Sequence, residues 1–365
     1  MITIQSMSLN GDGICLLKHP KSIQTVFVPY SCPGDIIANT QLPDSNPCIL
    51  ESYTLQTPSS DRAQPRCSHF GICGGCTYQH ITYETQIKIK HTQLTDIFKS
   101  LPVPDHFDFY PSEKPYQYRN RLTLQCKNNT IGYFKRGTQE ILNIEECPLA
   151  KENIEAASLK LVSLGLPPGY TGITIYENGN SIERYYHQKQ SDSAAFMQVN
   201  DDVNFKIISC IRTLVTEVSS NAKLLDLFCG SGNLSFPLFD IVGKVTGIDI
   251  SLTSITEAKK KADKLGLDHF QFIEMPVEKA HSIISEHARE TDILLIDPPR
   301  RGLKKDAVFL SSLLIPRIIY VSCNPLSLKK DLVHFLHNGY RVRSLSGFDM
   351  FPQTPHIESL CVLEL

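Results

Sequence analysis

Three residues in the C-terminal half of this 365-residue chain stand where strands end, two of types that do covalent or acid–base chemistry and one of a type that contacts a cofactor. The stretch Ile318-Ile319-Tyr320-Val321-Ser322-Cys323-Asn324-Pro325 opens with four apolar, mostly β-branched residues that read as a buried strand. Asn-Pro breaks that strand and leaves Cys323 at its C-terminal edge, where open α/β sheets collect ligands. A thiol there is a nucleophile or a buried structural cysteine, and the second is the commoner fate in general. Glu358 sits where a loop enters the apolar strand Ser359–Leu365, a costly place for a carboxylate unless it is paired or working. Asp297 ends the apolar run Asp292-Ile293-Leu294-Leu295-Ile296-Asp297 and opens a rigid loop, Pro298-Pro299-Arg300-Arg301-Gly302. Either arginine would favour a thiolate by proximity.

The elements that must position these residues alternate between strand and helix from about residue 190 on, the pattern of a doubly wound α/β fold. Lys223–Phe228 reads as its first strand and runs into Phe228-Cys229-Gly230-Ser231-Gly232-Asn233. Such a glycine-rich turn lets backbone approach a ligand and is expected to start a helix. Lys244–Asp249 reads as the second strand, its terminal Asp249 placed to bind ribose hydroxyls. These two features fit NAD or S-adenosylmethionine; the Asp-Pro-Pro loop resembles a motif of the methyltransferases that use the latter.

Further toward the N-terminus lies a second group of reactive side chains. Cys67, Cys73 and Cys76 fall within ten residues, with Gly71, Gly74 and Gly75 among them, and Cys147-Pro148 offers a fourth thiol. The spacing points to a metal site, iron–sulfur ahead of zinc, because paired zinc knuckles are missing and Cys-Pro is a familiar last ligand of iron–sulfur centres. Residues 77–100 read as a helix with Tyr83, Ile87, Lys90 and Leu94 on one face. Between 114 and 136, Lys114, Arg119, Arg121, Lys127, Lys135 and Arg136 alternate with Tyr116, Tyr118, Tyr133 and Phe134. That is either an RNA-binding surface of cations and stacking rings or an amphipathic hairpin turning at Asn128-Asn129. Residues 1–57 hold short β-rich pieces (Ile2–Met7, Thr25–Val28, Asp35–Ala38), as in a small OB-like barrel, with Lys18 and Lys21 the basic residues named there. Residues 56–65 read as a linker.

Composition bounds the function. A net charge of −2 leaves any nucleic-acid contact to a local basic surface. No apolar run is long enough to span a membrane and no signal peptide is evident, so the chain is expected in the cytoplasm. Twelve cysteines in a reducing compartment then speak for metal or catalysis over disulfides.

Taken together, Asp-Pro-Pro-Arg-Arg-Gly, Ser-Cys-Asn-Pro and Phe-Pro-Gln-Thr-Pro-His-Ile-Glu resemble the RNA uracil-5-methyltransferase family, and the cysteine set resembles its iron–sulfur branch acting on 23S ribosomal RNA. The resemblance implies a TRAM-like barrel over 1–57, a central α+β domain over 58–190 with a four-iron, four-sulfur cluster and an RNA surface, and a Rossmann-like methyltransferase domain over 191–365. It implies Cys323 as nucleophile and Glu358 as general base, Gln198, Phe228, Asn233, Asp249 and Asp297 as contacts to S-adenosylmethionine, and Cys67, Cys73, Cys76 and Cys147 as cluster ligands. The expected protein is a monomer acting on 23S ribosomal RNA. Transfer RNA is the alternative substrate, and an RNA cytosine-5-methyltransferase the neighbouring activity. The family often carries Glu where this chain has Asp249, a shorter reach to the ribose.

Overall fold

Gly and Pro punctuate the N-terminal third into several two- to four-residue strands, while the largely apolar runs Ile293–Ile296 and Arg317–Ser322 make central strands buried along their whole length. The computed structural model describes residues 1–19, 22–38, 47–128, 130–179, 181–189 and 197–365. Lys21, Asn129, Phe196 and the expected boundary at residue 190 lie outside the described residues. Two compact units form, one from Met1–Gln93, Glu113–Ser193 and Phe351–His356, the other from Leu94–Ser112, Ala194–Met350 and Ile357–Leu365.

In the first unit, β1 (Ile2–Thr3), β2 (Ser6–Met7), β3 (Gly13–His19), β4 (Ser22–Val28), β5 (Ile36–Ala38), β6 (Cys48–Ile49) and β7 (Thr54–Thr57) make two small sheets, ordered β1-β5-β7 and β2-β3-β4-β6. They enclose Ile2, Ile4, Cys15, Val26, Val28, Ile37, Cys48 and Leu50. Helix α1 spans Tyr83–Phe98, starting six residues later than its periodicity predicts. The preceding residues are spent on tertiary hydrogen bonds instead: Thr77 and Tyr78 N–H both donate to the Gln353 carbonyl, and Thr82 N–H donates to that of Asp61.

After β8 (Phe109–Tyr110), which belongs to the second unit, come β9 (Arg121–Lys127), β10 (Thr130–Phe134), β11 (Ile141–Asn143), α2 (Glu152–Leu164), β12 (Gly172–Asn178) and β13 (Ser181–His187). β9 and β10 are the expected hairpin, with Lys127 opposite Thr130 and Asn128 in the left-handed conformation that asparagine tolerates. The sheet runs β11-β10-β9-β12-β13, and its core joins Leu122, Leu124 and Ile175 to Ile154 and Leu161 of α2.

The second unit continues with α3 (Asp201–Thr216), β14 (Ala222–Leu227), β15 (Val242–Asp249), α4 (Leu252–Leu265), β16 (Phe270–Glu274), α5 (His281–Ala288), β17 (Ile293–Ile296), α6 (Lys305–Ser312), β18 (Arg317–Ser322), α7 (Pro325–His337), β19 (Arg341–Phe348) and β20 (Glu358–Glu364). Its eight-stranded sheet is ordered β16-β15-β14-β17-β18-β20-β19-β8. The first five are mutually parallel, and β20 runs antiparallel between β18 and β19. The central strands are buried on both faces, as parallel sheets require. The glycine turn after β14 does not start an α-helix: only a single turn of 3-10 helix, Phe236–Leu238, follows it. Too few residues separate the turn from β15 for a stable helix, and Pro237 withholds a backbone donor there.

Candidate active site

The C-terminal ends of β14, β15, β17 and β18 lie side by side in the sheet, and β20 begins beside the last of them. Ser322 pairs with Ser359 across β18 and β20, so Cys323, one step past the first, and Glu358, one step before the second, face each other at the strand ends. Asp297 follows Ile296 at the end of β17, which pairs with β18 at Tyr320. Three acidic groups thus converge where the sheet opens.

Their electrostatics follow from that crowding. Burial pushes the half-buried Cys323 thiol up to about 11, with Glu358 and Asp297 adding to the rise and Arg300 opposing it. Burial likewise holds Glu358, 2 % exposed, well above the ordinary carboxylate range; Asp297 reinforces this and Arg300 again opposes. Asp297 is pushed up to about 7 by burial. Like charges this close do not all ionise, so the carboxyls hold protons readily and a nearby cation decides how much anion the site tolerates.

Around Cys323 the backbone is fixed. Ser322 Oγ accepts from Asn324 N–H at 3.2 Å, and Asn324 Oδ1 accepts from Leu326 N–H at 3.2 Å, capping α7 with Pro325 in its first turn.

The residues expected to meet the cofactor fall into two groups. Phe228, Gly230 and Gly232 form the turn after β14, and Asp249 closes it from the end of β15. Phe228 (φ +63°), Gly230 (φ +53°) and Gly232 (φ +82°) are all left-handed, a strained conformation for the phenylalanine. A side chain built on Gly230 would meet open space, whereas one on Gly232 would collide with the Phe236 ring at 2.5 Å. Asp249 accepts from Gly230 N–H at 3.0 Å with one oxygen and from Ser251 N–H at 2.8 Å with the other, so it shapes the glycine turn as well as ending β15. Ile250 beside it is 65 % exposed, an apolar surface at the mouth of that turn. This open cradle with an acidic end fits a nucleoside-bearing cofactor. In the second group, Asn233 trades amide hydrogen bonds of 3.0 and 2.9 Å with Asn204 of α3, and Gln198 is half-buried just ahead of that helix.

One residue escaped notice in the sequence. Asp226, inside β14, is 1 % exposed, neither carboxyl oxygen has a hydrogen-bond partner, and burial pushes it up to about 8. A lone aspartate in the apolar run Leu224-Leu225-Asp226-Leu227 was the available signal.

The four cysteines lie in the first unit and are free, half-buried thiols. Cys73 faces Lys135 in an isolated bridge, Gly74 N–H donates to the Phe134 carbonyl, and Cys147 N–H donates to Glu155 at 2.7 Å. Burial pushes Cys67 up to about 11 and Cys76 to about 12, and in both the neighbouring Cys147 and Cys73 contribute. Among the described residues, no group of three or more His, Cys, Asp or Glu side chains could hold a metal ion as arranged. Two buried polar atoms beside this set lack hydrogen-bond partners, Arg119 Nε and Tyr133 Oη. Of the interleaved cations and rings, Arg66 lies over Tyr116 at 4.3 Å, Arg136 over Tyr30 at 4.7 Å, and Tyr118 is buried with its hydroxyl on the Pro352 carbonyl.

Comparison with known proteins gives consistent likenesses. Residues 174–365 match the family described as tRNA (Uracil-5-)-methyltransferase. Over 434 aligned positions the chain is 27 % identical to 23S rRNA (uracil(1939)-C(5))-methyltransferase of Shewanella sediminis, covering 100 % of this chain and 96 % of that protein. It is 29 % identical to tRNA (uracil(54)-C(5))-methyltransferase of Schizosaccharomyces pombe, covering 99 % of this chain and 77 % of the other. Among solved structures, Pyrococcus abyssi tRNA (uracil-54, C5)-methyltransferase in complex with S-adenosyl-L-homocysteine shares the fold, with a TM-score of 0.76 over 99 % of both chains at 21 % identity.

Proposed function

The chain belongs to the RNA uracil-5-methyltransferase family, and from that premise we propose that it methylates carbon 5 of a uridine in 23S ribosomal RNA through a covalent bond to Cys323. The observation that carries this reading is the opposition of Cys323 and Glu358 at the paired ends of β18 and β20, beside Asp297. Carbon 5 of uracil is a poor nucleophile. Addition of the Cys323 thiolate to carbon 6 sends an electron pair into an enolate across carbons 4 and 5. The glycine cradle would hold S-adenosylmethionine, which would supply an electrophilic methyl on a sulfonium; carbon 5 takes it as the methyl–sulfur bond breaks and S-adenosylhomocysteine leaves. Glu358 then removes the proton from carbon 5; the freed pair restores the double bond and expels the thiolate. A high proton affinity at Glu358 suits this last step. In the first, the raised thiol must ionise, a task for Arg300. A uridine in folded RNA must also be turned out of its stack, at a cost of roughly a few kcal/mol.

The cofactor contacts in this scheme are Phe228 and Asp249 directly, with Asn233, Gln198 and Asp297 completing the site. Residues 1–57 serve as a small TRAM-like accessory barrel, 58–190 as the domain carrying the cysteines and an RNA surface, and 191–365 as the catalytic domain. Cys67, Cys73, Cys76 and Cys147 would hold a four-iron, four-sulfur cluster once drawn together around it, and the cluster would tie the loop at 67–76 to the segment before 147. The donor chemistry supports this, as do the orphaned Arg119 Nε and Tyr133 Oη: a buried thiolate cluster needs a counter-charge and hydrogen-bond donors, and both are left over here. A transfer-RNA uridine is the second reading, favoured by the 29 % identity to the fission-yeast enzyme.

Wild-type protein incubated with cofactor and RNA containing 5-fluorouridine should trap a covalent complex, because fluorine cannot leave as a cation. Trapping on 23S ribosomal RNA fragments is the expected result. Trapping on transfer RNA alone would replace the substrate assignment, and no complex with either would defeat the covalent mechanism.

A further inference from the structure

Among the described residues, Arg300 is the cation named as acting on both Cys323 and Glu358, and it stands with Pro299 and Arg301 on the exposed part of the loop Asp297–Gly302. What restrains that loop is α7. Asn324, the cap of α7 and the residue next to Cys323, donates from Nδ2 to the Arg300 carbonyl at 2.9 Å. Seven residues on, buried Asp331 accepts from Leu303 N–H at 2.8 Å and, on the same oxygen, from the Tyr320 hydroxyl at 2.6 Å. Between these two ties, Gly302 N–H closes a turn onto the Pro299 carbonyl at 2.8 Å. Gly302 is left-handed (φ +69°), and a Cβ there would lie 2.5 Å from the Asp331 carboxylate. The second half of the loop is thus tied at two points, Arg300 and Leu303, to the helix whose cap adjoins Cys323.

We propose that Asn324 is a positioning residue for the methyl transfer: its side chain straps the Arg300 backbone to the start of α7 and so keeps the Arg300 guanidinium in reach of Cys323 and Glu358. This rests on Cys323 being the nucleophile. The amide is suited to two tasks at once, since Oδ1 caps the helix while Nδ2 holds the loop. Ser322 Oγ, meanwhile, fixes the Asn324 backbone from the other side. The charged groups that bear on the thiol are Glu358 from β20, Asp297 from the end of β17 and Arg300 from the loop. The first two oppose ionisation, so releasing Arg300 leaves only a backbone hydrogen bond to favour it.

Asn324→Ser separates the tasks, because serine caps a helix about as well as asparagine but is too short to reach the Arg300 carbonyl. The readout is alkylation of Cys323 by iodoacetamide across pH, followed by mass spectrometry of its peptide in RNA-free protein. Asn324→Ser should move the profile to higher pH and slow alkylation at pH 8 by about three- to tenfold. Arg300→Gln should do the same, and the double variant should go no further than either alone. A wild-type profile in Asn324→Ser, or shifts that add in the double variant, would overturn the strap. Asn324→Thr repeats the test should the serine form fail to fold. Because the assay uses no RNA, an absent shift counts against the strap, whereas an absent 5-fluorouridine complex in the wild type counts against the nucleophile.

Discussion

Asp249 does more than end a strand, and its replacement should show it. Its two carboxylate oxygens each accept a backbone N–H, from Gly230 at 3.0 Å and Ser251 at 2.8 Å. A hydrogen bond to a charged group contributes roughly 1.5–3 kcal/mol net. If Asp249 met only the ribose, Asp249→Ala would weaken S-adenosylmethionine binding by about that amount. Here the substitution also frees the glycine turn, which must then be reordered each time cofactor binds. The expected loss is therefore about 3 kcal/mol or more, roughly 150-fold in Kd at 1.4 kcal/mol per decade. Asp249→Asn keeps one acceptor but turns an NH2 toward the other N–H, so it should fall between wild type and alanine. Titration calorimetry with S-adenosylhomocysteine measures the affinity, and melting without ligand reports the turn. An alanine variant that binds within threefold of wild type, or that melts unchanged without ligand, would refute the reasoning.

Other outcomes follow from the same site and its surroundings. Glu358→Gln should still form the bond to RNA and transfer methyl, then accumulate as a covalent complex on a denaturing gel; Cys323→Ala should form none, and a band surviving there would mean that another residue attacks. Asp226 is raised by burial from the ordinary aspartate range to about 8, so its neutral form supports the fold fully below about pH 4, and that support is lost as pH rises through 8. Asp226→Asn, which does not titrate, should melt progressively above wild type as pH is raised from 4 to 8; a difference independent of pH would show that the carboxyl is not buried neutral. Protein purified without oxygen should carry about four iron atoms, fewer in Cys147→Ser, and stoichiometric zinc without iron would end the cluster assignment.

Much of the catalytic unit was legible because its signals are local. Asn324-Pro325 marks both the end of β18 and the start of α7, so Cys323 could be placed at a sheet edge from eight residues. Asp249 and Asp297 were likewise readable as strand ends, as β15 and β17 show. What stayed hidden depends on distance along the chain. The insertion of β20 between β18 and β19 is invisible in a strand pattern, because spatial order departs from sequence order. The start of α1 was misjudged because residues 77–82 bond to Gln353 and Asp61, contacts that periodicity cannot register. The missing helix after the glycine turn was a local misreading, since Pro237 and the short run to β15 were both in view. The tie from Asn324 to Arg300 spans 24 residues, and the sequence offered only a capping residue.

The position of β20 also bears on how the protein comes to exist. Its residues, Glu358–Glu364, emerge from the ribosome after every other strand of their sheet, yet they fill an interior place. Until they arrive, β18 offers a fully buried type of apolar strand with one edge unpaired, the template on which nascent chains stick to one another. A growing chain holds Cys323 well before it holds Glu358, so under the proposed mechanism a partially synthesised chain would lack the base that releases the adduct. Chaperone dependence should accordingly peak late in translation, in the interval between the appearance of β18 and the arrival of the strand that closes it.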